Sequence, residues 1–255
     1  MAPVYSNGFD AHTHLQALSH LDAVQTAMER ARAAGISQVA VLGGDPDQWD
    51  NVAQVARAIG AIYGLGVHPW WASAAPDVSV VRERLDAAQP PVVGEIGLDR
   101  VRGALEEQQP LFCAQLAWAA ENDRPVVLHA VRAVDEVVSQ VARHRGVRAM
   151  IHSFTGSEQQ MRRAVQTGLY LSIGPLALRA SGRMVDVIRS IPANRLLLET
   201  DSPAHDAPCD EPAGLVAVAR SVAALRGMDA SALLAQTGDV ARAFYGLSTS
   251  PEVAS

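Results

Sequence analysis

The stretch "GFDAHTHL", residues 8–15, decides how the rest of the chain is read. It opens on an apolar residue and then places Asp10, His12 and His14 at every second position. A strand turns successive side chains to opposite faces, so in an extended segment these three share one face. Polar groups left without partners in an apolar interior cost on the order of 1–3 kcal/mol or more each. They are therefore solvated, hydrogen-bonded, or gathered round a cation. Two imidazoles on one face, two residues apart, are natural chelators.

Outward from that segment, short apolar runs recur, separated by Ala-, Arg- and Glu-rich stretches of helical period. The expected strands are 8–14, 38–44, 61–69, 91–99, 125–131, 148–154, 169–174 and 195–203. Between them, 21–34, 49–59, 80–88, 105–121, 134–145, 159–166 and 184–191 read as amphipathic helices, and two more helices close the chain. Alternating strands and helices favour a parallel sheet covered by helices. Eight strands in 255 residues match a single-domain α/β TIM (β/α)8 barrel, spanning 1–246 with a frayed tail at 247–255. The rival is a doubly wound open sheet, whose dinucleotide-binding version lacks its G-x-G-x-x-G here.

Composition narrows the function classes. A hydrophobic content of 49% supports one large core, and a formal net charge of −6 argues against a broad basic face for gripping duplex nucleic acid. Every basic residue is arginine. Without lysine there is no Schiff-base chemistry and no carboxylated-lysine metal bridge, so a bridging anion must be Asp or Glu. Cys113 and Cys209 lie far apart with no CxxC pattern, which fits a reducing cytoplasm better than a disulfide framework. The start "MAPVYSNGF" has neither a basic nor an apolar leader region, and no apolar run approaches membrane-spanning length.

The polar residues fall in a pattern. His12 and His14 end the first strand and His68 the third. Glu95 lies near the end of the fourth, His129 of the fifth, His152 of the sixth and Asp201 of the eighth. In a barrel those carboxyl ends converge on one face, where active sites are built. Each residue alone has a plainer reading: a strand-end histidine is often only hydrogen-bonded, and Asp201 could cap a helix. Glu95, between Val93 and Ile96, must be paired or ligated. His20 and His144 read as solvated. Nitrogen and carboxylate donors together suit Zn²⁺, Mn²⁺ or Fe²⁺, with Mg²⁺ where water and phosphate complete the shell. Donors for two ions are available, and with lysine missing Glu95 is the natural bridge.

In that order, "DAHTHL", "GVHP", "GEIGLD", "FCAQLAWAAENDRPVVLH", "IHSFTGS" and "LLLETDSP" resemble the signature blocks of the TatD family of metal-dependent hydrolases. The resemblance runs from about residue 8 to the "DVARAFYGL" ending. It implies a barrel associated with metal-dependent deoxyribonuclease activity. Carried over by position, His12, His14, Glu95 and Asp201 hold one ion, and Glu95, His129 and His152 the second. His68 is expected near the substrate phosphate or behind the ligands, and Arg132 and His205 on the substrate side. The chain departs from the family at Val131, where an arginine is common and Arg132 stands next door, and at Arg100, in place of an aromatic.

The expected activity is cleavage of phosphodiester bonds in DNA, in a 3′–5′ exonuclease-like manner. A metal-activated water is the nucleophile, Asp201 the general base and Glu95 the bridge. A concave mouth without a basic surface favours single-stranded or frayed ends. An amidohydrolase or esterase acting on a small metabolite is the alternative, and a non-catalytic metal-binding component of a complex the second. No membrane and no obligate protein partner are expected.

Overall fold

The computed structural model describes residues 5–144, 146–203 and 210–247. Eight parallel strands follow one another round a barrel in chain order. They are β1 Gly8–Thr13, β2 Ile36–Gly43, β3 Ile62–Leu65, β4 Val92–Asp99, β5 Val126–Val131, β6 Ala149–Ile151, β7 Tyr170–Ile173 and β8 Leu196–Leu198. The barrel closes where Thr13 of β1 meets Ser202, just beyond β8, and the His14 N–H donates to the Ser202 carbonyl at 2.7 Å. The expected barrel is the observed fold. Of the expected tail, Leu247 bonds back to the Arg242 carbonyl and the remainder lies outside the described residues.

The outer layer is α1 Leu21–Ala33, α2 Trp49–Ile59, α3 Val78–Ala88, α4 Leu105–Glu121, α5 Val134–Val141, α6 Glu158–Gln166, α7 Arg183–Ser190, α8 Leu215–Arg226 and α9 Ala230–Tyr245. Local chemistry sets their ends. Ser157 and Gln160 exchange side-chain and backbone bonds in a capping box before α6, and Gly60 takes the left-handed conformation that ends α2. The main core lies between the strands and these helices. It includes Val39, Val41, Leu65, Val93, Ile96 and Leu128 packed with Met28, Val52, Leu85 and Trp118.

A second cluster forms a floor below the site. Phe9, Ala40, Leu42, Val127, Met150 and Leu197 pack with Phe244 and Tyr245 of α9, whose hydroxyl donates to the Ala11 carbonyl at 2.6 Å. Val127, Met150 and Leu197 each sit two positions before His129, His152 and Glu199, and so share a strand face with them. The barrel is therefore apolar at the α9 end and polar at the other. Among the described residues, no helix is long and apolar enough to cross a membrane.

Candidate metal centre

Strand ends bring the expected residues together. His12 Nε2 and His14 Nε2 lie 3.1 Å apart, and each is 3.4 Å from Glu95 Oε2. Each is also 3.4 Å from Asp201 Oδ1. Ligands held tetrahedrally at about 2.0–2.1 Å from one ion stand about 3.3–3.4 Å from each other. The Asp201 Oδ1 atom is buried without a hydrogen-bond partner. An aspartate in the left-handed region (φ 57°) aims this oxygen back at the imidazoles; no helix starts behind it among the described residues. Donor chemistry, spacing and the unpartnered oxygen all fit a divalent cation.

The other carboxylate oxygen, Glu95 Oε1, faces three imidazoles. His129 Nδ1 and His152 Nε2 are each 2.8 Å away, and His68 Nε2 is 3.1 Å away. The nitrogens of His129 and His152 are 3.3 Å apart. His68 differs from the other two. Its Nδ1 accepts the Trp70 backbone N–H at 3.1 Å, so in the neutral ring Nε2 carries the proton and donates to Glu95. That geometry suits a hydrogen-bond donor better than a ligand. Gly44 makes room for it, since a Cβ there would stand 2.5 Å from the His68 Cβ.

Outer partners orient the rings. His14 Nδ1 bonds the Leu42 carbonyl at 2.8 Å, which leaves Nε2 bare toward Glu95 and Asp201. His129 Nε2 lies 3.2 Å from Asp99 Oδ2, which likewise frees Nδ1. Gly97 allows the approach of this strand, because a Cβ there would sit 2.0 Å from the His129 carbonyl oxygen. His152 Nδ1 is 3.4 Å from the fully buried Glu199 without an aligned hydrogen bond, and Ser172 donates to the other Glu199 oxygen.

The charges are interlocked. Burial opposes ionisation of Glu95, but His152 and His68 hold its carboxyl well below the usual range. Burial also opposes charge on His14, yet Glu95 and Asp201 push it up to about 9. His152, against burial, is held well above an ordinary imidazole by Glu95 and Glu199. Burial lowers His12 and His68. Protons and divalent cations thus compete for the same lone pairs.

Sequence reading missed some partners and misplaced one. Asp99 and Glu199 were not expected; the available signal was a carboxylate ending an apolar run, as in "GLD" and "LLLE". Asp10 does not join His12 and His14. The β1 register shifts between Asp10 and Thr13, and Asp10 instead accepts from Thr200 N and Oγ1, at 2.9 and 2.5 Å. Burial pushes its carboxyl up. Arg132 is exposed at the end of β5, and His205 lies outside the described residues. His20 is exposed and His144 half-buried.

The family model described as TatD related DNase matches residues 9–246. The chain belongs to that family, one of metal-dependent hydrolases. It is 31% identical to a 3′-5′ ssDNA/RNA exonuclease TatD from Erwinia amylovora, over 94% of this chain and all of that one. It is 32% identical to the uncharacterized metal-dependent hydrolase YjjV of Escherichia coli K12, over 76% of this chain and 78% of the relative. The crystal structure of YjjV superposes with a TM-score of 0.86 over 95% of this chain and 99% of that one, at 28% identity. A TatD-family hydrolase from Entamoeba histolytica, at 15% identity and a TM-score of 0.82, shares the fold over 95% of this chain and 99% of its own.

Proposed function

We propose that this TatD-family chain is a nuclease that hydrolyses phosphodiester bonds at the ends of single-stranded nucleic acid, in the 3′–5′ direction, using two divalent ions of Zn²⁺, Mn²⁺ or Mg²⁺ type. One observation carries the reading: a single buried carboxylate, Glu95, presents its two oxygens to two separate donor sets at the barrel mouth. His12, His14, Glu95 and Asp201 would hold one ion, and Glu95, His129 and His152 the other. Such ions, when bound, polarise phosphoryl oxygens and acidify water.

The chain's own groups supply the rest. Glu95 keeps both donor sets in fixed relation, with His68 donating to it from behind. Asp201 is a third exposed, so its outward oxygen, Oδ2, takes the proton from the attacking water. Asp99 and Leu42 hold His129 and His14 in the tautomers that leave lone pairs inward. Arg132 and His205 are assigned to substrate binding. Cys113, a free and half-buried thiol, agrees with a cytoplasmic setting for this chemistry.

The test is digestion of 5′- and 3′-labelled single- and double-stranded DNA and RNA with each metal, beside a panel of amides and lactones. Stepwise shortening of single strands from the 3′ end is expected. Equal internal cutting of closed circular duplex rejects the end preference, and turnover confined to the small molecules rejects the nuclease.

A further inference from the structure

Trp70 is a large aromatic left 48% exposed beside the donor cluster, with Trp71 next to it at 43%. Its ring centroid is 4.8 Å from that of His68 and 6.0 Å from that of His129. The indole N–H donates to Asp99 Oδ2 at 2.6 Å, the same oxygen that faces His129 Nε2. So the one polar atom of the indole is anchored within the protein while much of the ring faces solvent. The Arg102 guanidinium lies over this ring, its carbon 3.9 Å from the centroid. Arg102 forms no ion pair among the described residues, although neighbouring Arg100 is paired with Glu136. Alongside lies an open groove of about 220 Å³ lined by Pro69, Trp70, Ser73, Arg102, Glu107 and Gln108.

A pinned aromatic plane with an unpaired cation lying over it matches a flat base joined to a phosphodiester. The plane stacks with any base, and the cation adds π and Coulomb attraction without reading sequence. Such a device would also explain end binding by a protein of net charge −6, because attraction is concentrated at one point of the rim.

We propose that Trp70, with Arg102 stacked on it, is a nucleobase platform that holds the terminal base of a single strand and so lays the adjoining phosphodiester over the two donor sets. This rests on the nuclease reading above. The groove beside the stack receives the edge of the base.

The test is fluorescence anisotropy with metal-loaded protein and a 5′-labelled single-stranded oligonucleotide whose 3′-terminal linkages are phosphorothioate. A second oligonucleotide ends in an abasic nucleotide. Metal content of each variant is measured in parallel. Trp70→Ala should weaken binding of the natural end about tenfold. Trp70→Phe, which loses the N–H but keeps a stacking face, should restore most of it. The wild type should bind the abasic end as weakly as Trp70→Ala binds the natural one, and Trp70→Ala should lose little more on the abasic end. Equal losses on natural and abasic ends overturn the platform, as does a Phe variant no better than Ala that also sheds metal, because Trp70 would then act through Asp99. Unchanged binding by Trp70→Ala, with wild type still shortening single strands, overturns the platform alone. Wild type that neither binds this oligonucleotide nor shortens its all-phosphodiester counterpart removes the nuclease reading and the platform with it.

Discussion

Replacing Glu95 with Gln tests the site at its centre. The carboxylate is 97% buried and stands 2.8–3.4 Å from the nitrogens of His12, His14, His129 and His152. Gln keeps the volume and one oxygen. Its amide nitrogen already carries its hydrogens and offers no lone pair, so one donor set loses one of its groups and both lose the negative charge. Removing one partner of a buried charge pairing costs about 3–5 kcal/mol. At about 1.4 kcal/mol per factor of ten, metal affinity should fall by at least a hundredfold. The assay is titration of the metal-free protein with Zn²⁺ or Mn²⁺ against a competing chelator, with bound metal counted by elemental analysis. Circular dichroism checks that the barrel persists, and His20→Ala serves as a control that should load metal normally. The expected outcome for Glu95→Gln is a folded protein holding at most one ion, weakly. Two ions at unchanged affinity would refute the shared-carboxylate assignment.

Asp99→Asn should spare the first donor set and loosen the second by about 10–100-fold, because His129 loses the carboxylate that orients its ring; metal counting at graded chelator concentrations reads this. In the metal-free protein His14 titrates near 9, above an unfolded value of 6.5. Its contribution to stability, about 3 kcal/mol at most, is therefore full below pH 6.5 and lost as pH rises through 9. Thermal melts of chelated protein should show this decline, and melts that rise steadily to pH 9.5 would contradict it. Restoring metal to a hundred times its dissociation constant should raise stability by about 2.7 kcal/mol per independent site, seen as a higher Tm than in chelator.

Much of the candidate site was legible because barrel topology converts a one-dimensional rule into a three-dimensional one. Once "GFDAHTH" and "PVVLHAV" read as parallel strands, their polar ends had to meet, whatever their distance along the chain. Glu95 was legible for a different reason: a charge inside "VVGEIGLD" has no cheap explanation. What stayed hidden depends on orientation rather than position. The shift within β1 that separates Asp10 from His12 and His14 leaves no mark in an alternating pattern. His68 reads like any strand-end histidine until the Trp70 N–H is seen to fix its tautomer. Asp99 and Glu199 follow apolar runs as many turn residues do, and only the facing rings of His129 and His152 give them a role.

The first donor set also lies across the joint of the barrel. His12 and His14 come from β1, while Asp201 follows β8, and these are the two strands whose pairing completes the circle. That pairing is slight: the Thr13–Ser202 bridge, the His14 N–H to Ser202 carbonyl bond and the Asp201 N–H to His12 carbonyl bond at 3.0 Å. The Asp10 carboxylate reinforces it by accepting from Thr200 across the same joint. Two imidazoles and a carboxylate oxygen kept 3.1–3.4 Å apart by so short a ladder would spread under their own desolvation cost, were they not shared with Glu95 from the opposite wall. A cation held there would join β1, β4 and the segment after β8 at once. Closing the barrel therefore brings the first donor set together, and the buried ionisable groups at the strand ends are paired with one another across that mouth.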